Sequence, residues 1–139
     1  MKTALNKWQY RFERSKAPVI KQLSFDFAGL KSGTTMLVSS PHEINEYIRS
    51  IPFGDTRSIN QLRAELAQKH GADATCPAST SIFLRIVAEA AYAELLSGQN
   101  PDGITPFWRL VEPHSRLGQK LACGSDFLVA MREREGITH

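Results

Sequence analysis

Apolar positions along the chain fall into two regimes that meet near residue 38. Ahead of it, Trp8, Tyr10 and Phe12 alternate with Gln9 and Arg11, the period of two expected of a strand. Val19, Ile20, Leu23, Phe25 and Phe27 follow, with Asp26 between the aromatics, and predict a second short strand. Gly29, Ser32 and Gly33 interrupt that pattern, and residues 34–38 form a third β-prone run. Residues 1–38 therefore read as an arm or small β ribbon packing on a body formed by residues 39–139.

In the body the period changes to that of helices. Ser40 is placed to cap, Pro41 sits where a helix needs no donor, and Glu43 completes a Ser-x-x-Glu capping box. Ile44, Tyr47, Ile48 and Ile51 then recur at i, i+3, i+4 and i+7, until the turn Pro52-Phe53-Gly54-Asp55. Ser58 caps a second helix with Ile59, Leu62, Leu66 and Ala67 on its apolar side, closed by His70-Gly71. A third and longest helix is capped by Ser79, Thr80 or Ser81 and runs to about Ser97-Gly98. Its predicted stripe is Ile82, Phe83, Ile86, Val87, Ala90, Ala91 and Leu95, with Arg85, Glu89, Tyr92 and Glu94 on the other face. After the loop at Asn100-Pro101, residues 104–111 read as an extended segment across the core, and residues 113–118 as a turn. A last helix over residues 125–135 carries Phe127, Leu128 and Met131 on one side. The sum is a mostly α, overall α+β domain of winged helix-turn-helix type with a short, partly extended N-terminal segment.

Charge adds one feature. The net charge of +3 divides unevenly: residues 1–31 hold seven basic groups against Glu13 and Asp26, and the remainder is mildly acidic. A basic arm on such a body points to a polyanion, because each Lys or Arg set on a phosphate releases counterions. No apolar run approaches the roughly 20 residues of a membrane span, and residues 1–10 lack the apolar block of a signal peptide. Two cysteines, Cys76 and Cys123, are too few for a disulfide scaffold, which makes a reducing, cytoplasmic setting the default.

Taken in order, Ile51-Pro52-Phe53-Gly54, Ser58-x-x-Gln61-Leu62, the long helix, Asn100-Pro101 and Pro106-Phe107-Trp108-Arg109-Leu110 carry a resemblance. Residues 40–137, roughly two thirds of the chain, resemble the C-terminal winged-helix domain of the 6-O-alkylguanine-DNA alkyltransferases and alkyltransferase-like proteins. That family opens with Ile-Pro-x-Gly and closes its active site with Pro-Cys-His-Arg-Val after an Asn-Pro hinge. Here Phe107 and Trp108 stand where the reactive Cys-His pair would be, and neither ring supplies a thiolate or a base. The resemblance thus implies a non-catalytic DNA-binding protein that needs no cofactor. Its expected task is recognising alkylated or distorted double-stranded DNA, with a repair protein as a further partner. Arg57, Ser58, Thr80, Ser81 and Arg85 are the implied DNA-facing residues. Phe107, Trp108 and Arg109 are the implied base pocket, stacking on a flipped purine or filling the cavity instead. Against this, Glu89 and Glu94 would repel phosphates, Arg85 sits at pairing distance in sequence from Glu89, and Ile59 replaces a family tyrosine. The bland role for Arg109 is bonding backbone carbonyls or a carboxylate across the core.

Two other readings stay open. One is a protein-interaction or small-ligand domain that kept the fold without DNA binding. The other is a thiol enzyme using Cys76 at the head of the third helix, with His70 as base. His70, Asp73 and Cys76 are spaced like metal ligands, but structural zinc wants four nitrogen or sulfur donors and no metal is expected.

Overall fold

The computed structural model describes residues 6–137; residues 1–5, with Lys2 of the basic run, and residues 138–139 lie outside it. The fold is α+β, six α-helices around one small sheet among the described residues.

The first element corrects the sequence expectation. Lys7–Glu13 is a helix, α1, where alternation predicted a strand. Asn6 explains the outcome: its side chain accepts the N–H groups of Trp8 and Gln9 while the Gln9 side chain accepts the Asn6 N–H, a reciprocal cap. A set at positions 8, 10 and 12 also contains the i, i+4 pair of a helix. Phe12 packs on the core, 4.3 Å from the His42 ring, and Trp8, one turn before it, is half-buried beside Arg85, while Tyr10 is left 50% exposed.

Strand β1, Val19–Gln22, pairs antiparallel with β2, Thr35–Val38, and β2 pairs parallel with the two-residue β3, Ala74–Thr75. The sheet order is β1-β2-β3, with Leu37 fully buried at its centre. Phe25 and Phe27 do not extend β1. Ala28 and Gly29 both take positive φ, 52° and 82°, a primed turn that folds Phe27 back onto Leu30, so both phenyl rings stay largely exposed.

Helix α2, Pro41–Ser50, is capped by Ser40, whose hydroxyl accepts the Glu43 N–H at 3.1 Å, and it buries Ile44 and Ile48. The box is only half formed, because the Glu43 carboxylate turns to Ser39 and His70. Helix α3, Ile59–His70, has the full reciprocal cap between Ser58 and Gln61 and ends at Gly71 in the left-handed region. Helix α4 is Pro77–Leu96 and starts earlier than the Ser79–Thr80–Ser81 cap that the sequence pointed to. Pro77 at the first position and Cys76, held by its N–H to Leu37 O at 2.8 Å, fix that start at the end of β3.

The longer α4 also presents a different inner face. Leu84, Val87, Ala88 and Ala91 enter the core, Ile86 and Ala90 are buried on a flank, and Ile82 is 60% exposed. Glu89, predicted on the outer face, is 4% exposed and accepts the Ala122 N–H. Helix α1 packs along α4 and α2 packs on another side, which is why α4 is apolar over most of its circumference. Residues 104–111 are buried but not extended: Phe107–Arg109 form a 3-10 turn. A five-residue helix α5, Arg116–Lys120, stands where only a turn was predicted, and α6 is Gly124–Arg134. Among the described residues, no helix is long and apolar enough to cross a membrane.

Candidate functional site

The aromatic pair and its arginine form a closed polar knot. Phe107 and Trp108 are 0% and 2% exposed, and Phe127 stacks on Phe107 with ring centroids 6.0 Å apart. The Trp108 indole N–H donates to Glu135 Oε2 at 2.7 Å. Arg109 Nε donates to Glu135 Oε1 at 2.9 Å, and its Nη1 donates to the Ile51 carbonyl at 2.7 Å. The Gly54 N–H reaches Glu135 Oε1 at 2.9 Å, and Arg132 Nε donates to the Trp108 carbonyl at 2.8 Å. Burial pushes the Glu135 carboxyl up, but Arg109, Gly54 and Trp108 together outweigh it and leave it below the ordinary carboxylate range. The knot ties the turn after α2 to the end of α6 through the 3-10 turn.

Of the two roles held open for Phe107 and Trp108, stacking on a base or filling the cavity, this geometry fits the second, and Arg109 takes its carbonyl-and-carboxylate role. The rings fill the core, and Arg109 spans carbonyl and carboxylate, so neither ring presents a face on which a base can stack. Glu135 was not singled out by sequence. One signal was available: it follows the last turn of α6, where the helix dipole disfavours a carboxylate, so a glutamate there calls for a compensating partner.

The DNA-facing set divides. Arg57 and Ser58 line an open cleft of about 410 Å³ at the start of α3, which Glu112, Ser115 and Ile59 also border. Ser81 and Arg85 line a second cleft of about 360 Å³ with Ile82, Arg116 and Lys120, and the two clefts share Ile59 and Ser115. Thr80 is excluded from this surface. It is fully buried and its hydroxyl donates to the Cys76 carbonyl one helical turn back, at 2.6 Å. Arg57 is partly engaged, 3.4 Å from Asp55, and Ser58 spends its hydroxyl on the α3 cap. Arg85 Nε lies 3.5 Å from Glu89 Oε2, and its guanidinium sits 5.0 Å from the Trp8 ring centroid. Arg116 and Lys120 were missed because a helix of five residues is too short to show a period.

Cys76 is 4% exposed, and the His70 ring is held by Glu43 at 2.5 Å. Burial pushes the Glu43 carboxyl up, while Ser39, His70 and Lys69 pull it further down, to below its ordinary value. Cys123 is pushed up to about 11 by burial and by the Glu89 charge. Among the described residues, no group of three or more His, Cys, Asp or Glu side chains is arranged to hold a metal ion.

Compared with models of protein families, with curated proteins and with solved structures, the chain matches none. The likeness to the alkyltransferases therefore rests on the residues named above.

Proposed function

We propose that this chain binds double-stranded DNA, without alkyl-transfer chemistry, as a winged helix-turn-helix protein of alkyltransferase-like type. The observation that carries the reading is convergence: Arg57 and Ser58, just ahead of α3, and Ser81 and Arg85 of α4 border one pair of adjoining clefts. Arg116 and Lys120 add positive charge to the same surface. Glu89 is turned inward, with its carboxylate paired to Arg85 at 3.5 Å and to the Ala122 N–H, so the Arg85 charge reaches the surface partly offset. Small and hydroxyl-bearing residues at the helix starts leave room for close approach of a backbone. Recognition in this reading depends on backbone position and duplex distortion, since Phe107 and Trp108 are committed to the core. Cys76 has no part in it.

A fluorescence-anisotropy titration tests the reading, using an unmodified duplex and one carrying 6-O-methylguanine. Four phosphate contacts predict that affinity falls about a hundredfold between roughly 50 and 200 mM salt. Replacing Arg57 and Arg85 by alanine should flatten that dependence and weaken both duplexes alike. Absence of salt-sensitive binding to either duplex would overturn DNA binding. A strong preference for the lesion that vanishes in Trp108→Phe would overturn the closed-core part of the reading.

A further inference from the structure

A third groove lies on the other side of α1, and nothing in the DNA reading uses it. Its walls are apolar: Val19 of β1, Val38 of β2, Pro41 of α2, and Phe83 and Ile86 of α4. Its volume, about 690 Å³, falls within the ~300–1,000 Å³ typical of pockets that enclose a small ligand. Four cations stand around it: Arg11 and Arg14 on α1, Lys16 in the connection, and Lys21 on β1. No carboxylate lines the groove, and no ion pair among the described residues engages any of the four. Arg14 is instead stacked 4.5 Å from the Tyr10 ring centroid, which fixes its guanidinium at the rim.

We propose that this groove binds a single-chain anionic lipid, its aliphatic tail on the apolar walls and its phosphate or carboxylate head among Arg11, Arg14, Lys16 and Lys21. The division of labour follows from chemistry. Apolar walls gain nothing from a nucleic-acid backbone, and four cations without counter-charges disfavour a neutral or cationic occupant. An anion joined to a chain satisfies both halves of the site. The inference stands apart from the DNA reading, since it uses none of the same residues.

The test is calorimetric titration of the full chain with decyl phosphate and decanoate below their micelle-forming concentrations. Saturable binding at one site is expected, weakening about fourfold for each methylene removed. The preferred head is the one that binds more tightly, and decyltrimethylammonium should not bind. Reversing the charge of two exposed rim residues, Arg14→Glu with Lys16→Glu, should cost at least about tenfold in affinity, given a bidentate arginine contact. Val19→Trp, placed on an exposed strand position, should fill the groove and block binding while the thermal melt stays cooperative. Equal binding of the cationic amphiphile, no dependence on chain length, or unchanged affinity in the charge-reversed variant would each overturn the proposal. So would binding seen only with bilayer vesicles, or loss of duplex binding in the charge-reversed variant without any lipid binding by the parent chain.

Discussion

At residue scale, Glu135 is the side chain on which most depends. It takes hydrogen bonds from Trp108, Arg109 and Gly54 while 2% exposed, and Arg109 has no other carboxylate in reach among the described residues. Removing one partner of a buried pair leaves the other uncompensated. Glu135→Ala should therefore cost about 3 kcal/mol in urea unfolding. The pH dependence has a definite sign. The folded Glu135 carboxyl lies below its ordinary value of 4.5, so its contribution is present above that value and disappears as pH falls through the folded one. Glu43, also lowered, acts in the same direction. Comparing urea midpoints at about pH 6 and about pH 3 should show a loss in the parent chain and a smaller loss in Glu135→Gln. The thiols give a separate check. Cys76 is buried and Cys123 titrates near 11, so iodoacetamide near neutral pH should label both slowly, and quickly only after unfolding. Fast native labelling of Cys76 would restore the thiol-enzyme reading.

At element scale, most of the body was legible, and in the N-terminal segment the two strands were legible while the first helix was not. Ser40-Pro41, Ser58 and Gly71 announced α2 and α3 because caps and a left-handed glycine are local devices, visible in three or four residues. For α1 the same kind of device, Asn6 with Gln9, competed with an alternation only five residues long, and the cap prevailed. Asn6→Ala should cost about 1 kcal/mol and show as faster hydrogen exchange in Lys7–Glu13, with the α2 and α4 amides unchanged. The start of α4 was placed three to five residues late, and its inner face was misassigned separately. Thr80 faces inward and Ile82 outward, an orientation set by tertiary packing that the periodicity of a helix apolar on most sides does not fix. Helix α5 escaped because it is held by contact: a methyl group on Gly118 would sit 2.4 Å from the Glu112 carbonyl. Gly118→Ala should lower stability by about 1–3 kcal/mol, read as a fall in melting temperature.

At the scale of the whole molecule, long-range placement decides the candidate site. Arg57 and Ser58 come near Ser81 and Arg85 through clefts that share Ile59 and Ser115, a neighbourhood that no local periodicity reports. The closure of Phe107 and Trp108 depends on Glu135, 27 positions away in the chain, and no local pattern reports such a partner. The parallel β2–β3 pairing joins residues on either side of α2 and α3 in the same way. Helix α1 links the two surfaces: the Arg85 guanidinium of the basic one lies 5.0 Å from the Trp8 ring centroid, while Tyr10, Arg11 and Arg14 wall the apolar groove.

Trp8 carries a consequence for spectroscopy. Its ring has Lys7, Arg11 and Arg85 within 5.2 Å of its centroid, whereas Trp108 is sealed in the core. The chain's two indoles should therefore respond oppositely to ionic quenchers: iodide, drawn by the three cations, should extinguish the Trp8 emission, and caesium should be repelled. Trp108 should ignore both. The same polypeptide thus contains a sensor for the seating of its first helix and an internal reference against which to read it.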